Sequence, residues 1–248
     1  MLVMRVLVSF ILVAAVGCGI VATAASGPAI LGSRCVAGSV RWLERWDVAY
    51  AGRLLRPTQL YRAPGARPLQ RLNVADGYGF PTTIPIVAER VAANCRPTWF
   101  RVRVRSYPNG QLGWLKAGTM ATSRIRKQIL VDVSEHRLVL YKRGKLLWST
   151  PAAVGKPGTP TPIGRFFITQ RFVLTNPNGP YGSRALGISA FSDVLRSWRE
   201  GGPIGIHGTN EHFSIGKAVS HGCIRLPDSA IVRLFKQVPL ATPVIIRR

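Results

Sequence analysis

Two stretches of the chain bring together a nucleophile, two bases and glycines: Ile206-His207-Gly208-Thr209 and Ala218-Val219-Ser220-His221-Gly222-Cys223-Ile224-Arg225-Leu226. A cysteine attacks as its thiolate, so it needs a group that can take its proton. Either histidine could serve. His221 stands two positions from Cys223, and in an extended segment the two side chains share a face. His207 lies fourteen residues before His221 and must return across a loop. Gly208 and Gly222 allow backbone geometries that other residues resist. The Gly222 amide could approach a developing oxyanion, and such a donor is worth about 3 kcal/mol in acyl-transfer sites. Arg225 could hold a substrate carboxylate. A zinc site from His207, His212, His221 and Cys223 is the competing reading, but the spacing fits no common zinc pattern. We therefore expect no metal and no organic cofactor. His136 and His212 are read as structural.

These residues closely resemble the signature of L,D-transpeptidase catalytic domains of the YkuD type: a His, a gap of a dozen or more residues, then Ser/Thr-His-Gly-Cys, an apolar residue, and Asn or Arg. Here the match is His207, then Ser220-His221-Gly222-Cys223-Ile224-Arg225. It extends back through Tyr181-Gly182 and the loop 155–164 to about Lys127. The resemblance implies a β-sandwich with Cys and His in a cleft under long loops. It implies Cys223 as nucleophile, and His207 as proton acceptor and donor oriented by the backbone carbonyl of Gly208. His221 becomes the second histidine of the site, Gly222 an oxyanion amide, and Arg225, Tyr181 and Ser220 substrate-binding residues. The implied reaction is acyl transfer on peptidoglycan stem peptides through a cysteine thioester, giving 3→3 cross-links. Water as acceptor would make the protein an L,D-carboxypeptidase. A non-catalytic wall-binding protein that keeps the motif is the alternative outside enzymology. A secreted cysteine peptidase lacks its families' flanking signatures.

The elements that must position this site are mostly strands. Gln128–Val133, Arg137–Lys142 and Leu146–Thr150 alternate or run apolar between turn residues, as a meander does. Arg165–Arg171 and Thr242–Ile246 read as further strands, and Ser229–Lys236 as one short helix. Residues 155–162 carry too much Gly and Pro for anything but a loop. Before this unit, Val40–Trp46 reads as helical. Trp99–Arg105 and Leu112–Leu115 read as strands joined by a tight Pro-Asn-Gly turn, in part similar to small SH3-like barrels. The expected fold class is mainly β, with a small, mostly-β N-terminal region over 26–126 and a catalytic domain over 127–248.

Composition supplies the setting. The chain has 248 residues with 34 Lys+Arg against 10 Asp+Glu, a net charge of +24. Residues 1–126 hold 17 of the basic groups and 4 of the acidic ones, so the charge is spread over the fold and not gathered in a tail. Such a surface suits an anionic envelope or nucleic acid. The N-terminus decides between them. Arg5, the apolar run Val6–Val16 and Ala22-Thr23-Ala24 read as a secretory signal over 1–25, or as a membrane anchor if it is retained. Cys18 adds the option of lipidation. Export to the periplasm or cell wall follows, which removes nucleic acid from the partners. In an oxidising compartment Cys35 and Cys95, in one half of the chain, are candidates to pair, leaving Cys223 as the odd thiol.

Overall fold

The computed structural model describes residues 35–248; the signal or anchor expectation and Cys18 lie outside them. Two sheets of eight strands account for most of the chain. The first is antiparallel. Its order is Pro68–Leu72, Thr58–Tyr61, Leu112–Lys116, Pro97–Arg103, Thr83–Val91, Ala49–Leu54 and Met120–Ile125, with Val40–Trp42 also paired to Thr83–Val91. The second runs Lys145–Pro151, Arg137–Lys142, Lys127–Asp132, Pro243–Arg247, Gly164–Val173, Arg184–Phe191, Pro203–His207 and Ile224–Arg225. The chain is mainly β, with Asp228–Gln237 as the one α-helix among the described residues.

The apolar patterns explain the second sheet. Lys127–Asp132 is buried along almost its whole length, as befits an inner strand covered on both faces. Ile231 and Leu234 of the helix are fully buried, one turn apart, against Arg184–Phe191 and Pro203–His207. Asp228 opens the helix, where a carboxylate suits the positive end of the dipole.

Two expectations for the first half need correction. Val40–Trp42 is a strand, not a helix; it pairs with Ala88–Arg90, and the disulfide between Cys35 and Cys95 (Cα–Cα 5.1 Å) ties it to the same hairpin. Strand pairing and a covalent tie outweigh local helical propensity there. The turn expected at 106–110 is the tip of a longer loop closed by Val104 N–H donating to Gln111 O at 3.1 Å. Gly110 adopts φ 83 there.

The two sheets share their packing. Phe167 and Ala241, from the second half, belong to the core of the first. The Asn109 side-chain amide donates to Phe191 O at 2.8 Å and accepts from Phe191 N–H at 2.9 Å. Gln170 Nε2 donates to Asp76 Oδ2 at 2.7 Å. Residues 35–248 accordingly form one compact unit.

Candidate active site

Parallel pairing builds the centre of the site. Pro203–His207 and Ile224–Arg225 lie side by side, with Ile206 opposite Ile224 and His207 opposite Arg225. Ile206 and Ile224 are both fully buried. Each reactive residue is thus the chain neighbour of a core anchor, and His207 and Cys223 line the same cavity of about 620 Å³. The register also brings the Gly205 amide to the Cys223 sulfur, where it hydrogen-bonds and favours the thiolate.

The turn that presents Cys223 is clamped by buried hydroxyls. Ser220 Oγ donates to Cys223 O at 2.6 Å and accepts from Gly222 N–H at 3.1 Å. Thr161 Oγ1 donates to Gly222 O at 2.9 Å and accepts from Gly155 N–H at 2.8 Å. Thr159 Oγ1 donates to Ser220 O at 3.1 Å. Gly222 holds φ 109, and a Cβ there would lie 2.8 Å from Ile204. Here glycine is favoured by its backbone conformation, and the tip of Ile204 would have to shift for a Cβ.

Four residues singled out in the sequence have partners within the protein. Ser220 borders a smaller cavity of about 140 Å³, but it is only 1% exposed and its hydroxyl is used within the turn. It shapes the backbone that carries Cys223. The Gly222 amide, expected to face an oxyanion, donates to Ser220 Oγ within the turn. Arg225 Nη1 is held by Glu211 Oε2 at 2.5 Å, so its charge is compensated within the protein. His221 sits in a turn, not in an extended segment; it is exposed on the rim with its ring 5.5 Å from Trp198. Among the described residues no three His, Cys, Asp or Glu side chains converge as a metal site would need.

His207 is 4% exposed, and its Nδ1 lies 2.5 Å from Gly208 O. A carbonyl only accepts, so Nδ1 carries the proton and Nε2 is left as the base. Burial lowers the His207 pKa to about 4; the Gly208 carbonyl opposes this, and the Arg225 charge adds to it. Burial pushes the Cys223 thiol up, against the Gly205 hydrogen bond and Arg225, which pull it down. Both shifts favour the neutral forms of the two groups. Tyr181 lies edge-on to the His207 ring at 4.8 Å and is 57% exposed.

The L,D-transpeptidase catalytic domain family (YkuD) matches residues 126–246. The L,D-transpeptidase YqjB of Bacillus subtilis is 31% identical over 128 residues, covering 48% of this chain and 69% of that protein. The chain belongs to the L,D-transpeptidase family. The YkuD proteins of Bacillus licheniformis and Bacillus subtilis are 41% and 39% identical over 48% of the chain. The chain spans just under two thirds of their length, 64% and 65%. Among solved structures, an L,D-transpeptidase from Mycobacterium smegmatis aligns with a TM-score of 0.39 at 18% identity, over 58% of this chain and 76% of its own.

The region that matches the L,D-transpeptidase family contains His207, Cys223 and the clamping threonines. It also contains Asp228, which the sequence did not single out. Asp228 accepts from the Ser183 amide at 3.0 Å, and from its hydroxyl, whose one proton faces both carboxylate oxygens at 2.9 Å. This draws Gly182 against Gly208, so closely that a Cβ on Gly182 would lie 2.6 Å from Gly208 Cα. The Tyr181 loop and the carbonyl behind His207 are thereby fixed to the start of the helix. Asp228→Ala is expected to cost about 2 kcal/mol, in the range for bonds to a charged group, with Asp228→Asn losing less. Urea unfolding measures it, and an unchanged midpoint in both variants would refute the role.

Proposed function

We propose that this L,D-transpeptidase family member transfers acyl groups of peptidoglycan stem peptides through a Cys223 thioester. The carrying observation is that the free thiol shares one cavity with a buried imidazole whose Nδ1 is turned to the Gly208 carbonyl, leaving Nε2 as the base. Cys223 Sγ attacks the carbonyl of the diamino acid at stem position three, and its proton passes to His207 Nε2. The bond to the terminal D-alanine breaks as the imidazolium returns that proton to the leaving amine. The amine of a second stem then attacks the thioester. His207 takes the proton lost by that amine and restores it to the sulfur, leaving a 3→3 cross-link and a free thiol.

The charge of +24 fits work at an anionic cell envelope after export. Water in place of the second amine gives L,D-carboxypeptidase activity at the same centre. A wall-binding protein without catalysis gains nothing from a buried proton acceptor beside a free thiol. Incubating the protein with tetrapeptide stems and weighing the products tests the reading. A dimer lacking one terminal D-alanine is expected, and tripeptide alone would mark a carboxypeptidase. Recovery of the tetrapeptide unchanged would overturn acyl transfer.

A further inference from the structure

The region outside the family match reaches into the cavity of Cys223. Two loops of the first sheet line it, one through Tyr78 and the other through Arg105. The Tyr78 loop is built on Asp76, whose Oδ1 accepts from Tyr78 N–H at 2.9 Å and Phe80 N–H at 3.0 Å. Tyr78 and Phe80 then pack edge-on against Phe172, with centroids 5.5 and 5.0 Å away. Arg105 sits at the start of the loop that Asn109 fastens to Phe191. Its guanidinium lies 5.0 Å from the Phe191 ring. A second cavity of about 450 Å³ adjoins the first, and the two share Tyr78, Arg105, Gln170 and Glu200.

Charge on this wall is unevenly matched. Asp76 is engaged by Gln170 and two amides, and Glu200 by the Tyr78 hydroxyl. Arg105 makes no ion pair among the described residues, and its buried Nε has no hydrogen-bond partner. A buried donor left without an acceptor is costly and needs an explanation. Arg225, the cation expected to read substrate, is already paired with Glu211.

We infer that Arg105 is a substrate-binding residue of the cleft, and that it holds a free carboxylate of a stem peptide. Its planar fork suits a carboxylate held at two points, and the guanidinium lies over the Phe191 ring, which limits its freedom. The first sheet is thus part of the substrate site. This inference rests on the proposed stem-peptide substrate, and either the donor stem or the acceptor stem could supply the carboxylate.

The test is equilibrium binding of tetrapeptide stems to the non-reacting Cys223→Ala protein, with Arg105 intact or replaced by Gln or Lys. Stems carry the diamino-acid carboxylate free or amidated. Arg105→Gln should weaken binding of free-carboxylate stems about 10- to 100-fold, as for a lost charge-assisted bond, and amidated stems less than about 3-fold. Arg105→Lys should fall between. Turnover with Cys223 present, amidating donor and acceptor in separate arms, shows which stem is read. Equal weakening of both forms, or none, overturns the inference even if the intact enzyme cross-links. Selective weakening without any turnover would support Arg105 and sink acyl transfer. Unchanged alkylation of Cys223 by iodoacetamide in Arg105→Gln, with an unchanged melting temperature, shows that the fold is intact.

Discussion

Cys223→Ala is expected to abolish cross-linking and all covalent capture by a carbapenem, a loss of about 10⁴-fold or more in acyl transfer. No other described thiol can substitute, because Cys35 and Cys95 are bonded to each other. The fold should survive. Cys223 is only part-buried and its side chain is small, so Ala leaves little empty volume. The turn around it is held by Ser220, Thr159 and Thr161, none of which uses the sulfur. Intact-protein mass spectrometry after carbapenem exposure reads the result directly. An adduct on Cys223→Ala, or full activity in it, would end the assignment of the nucleophile.

His207→Ala should slow acylation by about 10²-fold or more, the usual worth of general-base help. It should also change how stability depends on pH. Above pH 6.5 the imidazole is neutral both folded and unfolded, and it contributes no slope. As pH falls from 6.5 to about 4, the unfolded chain binds a proton that the buried His207 refuses, so stability drops. The drop approaches about 3 kcal/mol and is complete below about pH 4. His207→Ala removes this window, although the cavity lowers its stability at every pH. Urea melts at pH 7 and pH 4.5 measure the difference in slope. In the wild type the acid limb of acylation should lie near pH 4, not near 6.5. Equal slopes in the two proteins, or normal acylation by His207→Ala with a dead His221→Ala, would reverse the roles of the histidines.

What could be read ahead of the structure depended on how local its cause was. The strands Lys127–Asp132 and Arg137–Lys142 were legible because their apolar residues sit between turn residues with no competing signal. The helix was legible over Ser229–Lys236, with Pro227 and Asp228 marking its start. Cys223 and His207 stood out because thiol and imidazole flanked by glycine serve few purposes other than chemistry. The clamp on the turn was not legible. Thr159 and Thr161 stand 61 residues from the carbonyls they bond, in a segment whose composition says only that it is a loop. Arg225 looked free because Glu211, its partner, is brought back by a loop that no periodicity describes. Gly205 gave no signal, since its role is a backbone amide placed by parallel register. Tyr78 and Arg105 meet the cleft only because one sheet packs against the other.

The upward shift of the Cys223 thiol also bears on how it meets oxidants. Thiolates attack peroxides and stray disulfides, and a thiol whose pKa is pushed up supplies less thiolate for either reaction. A permanently charged thiolate–imidazolium couple would be primed against every electrophile it met. In the proposed mechanism the thiolate forms only while His207 accepts its proton, which would give durability and selectivity one origin.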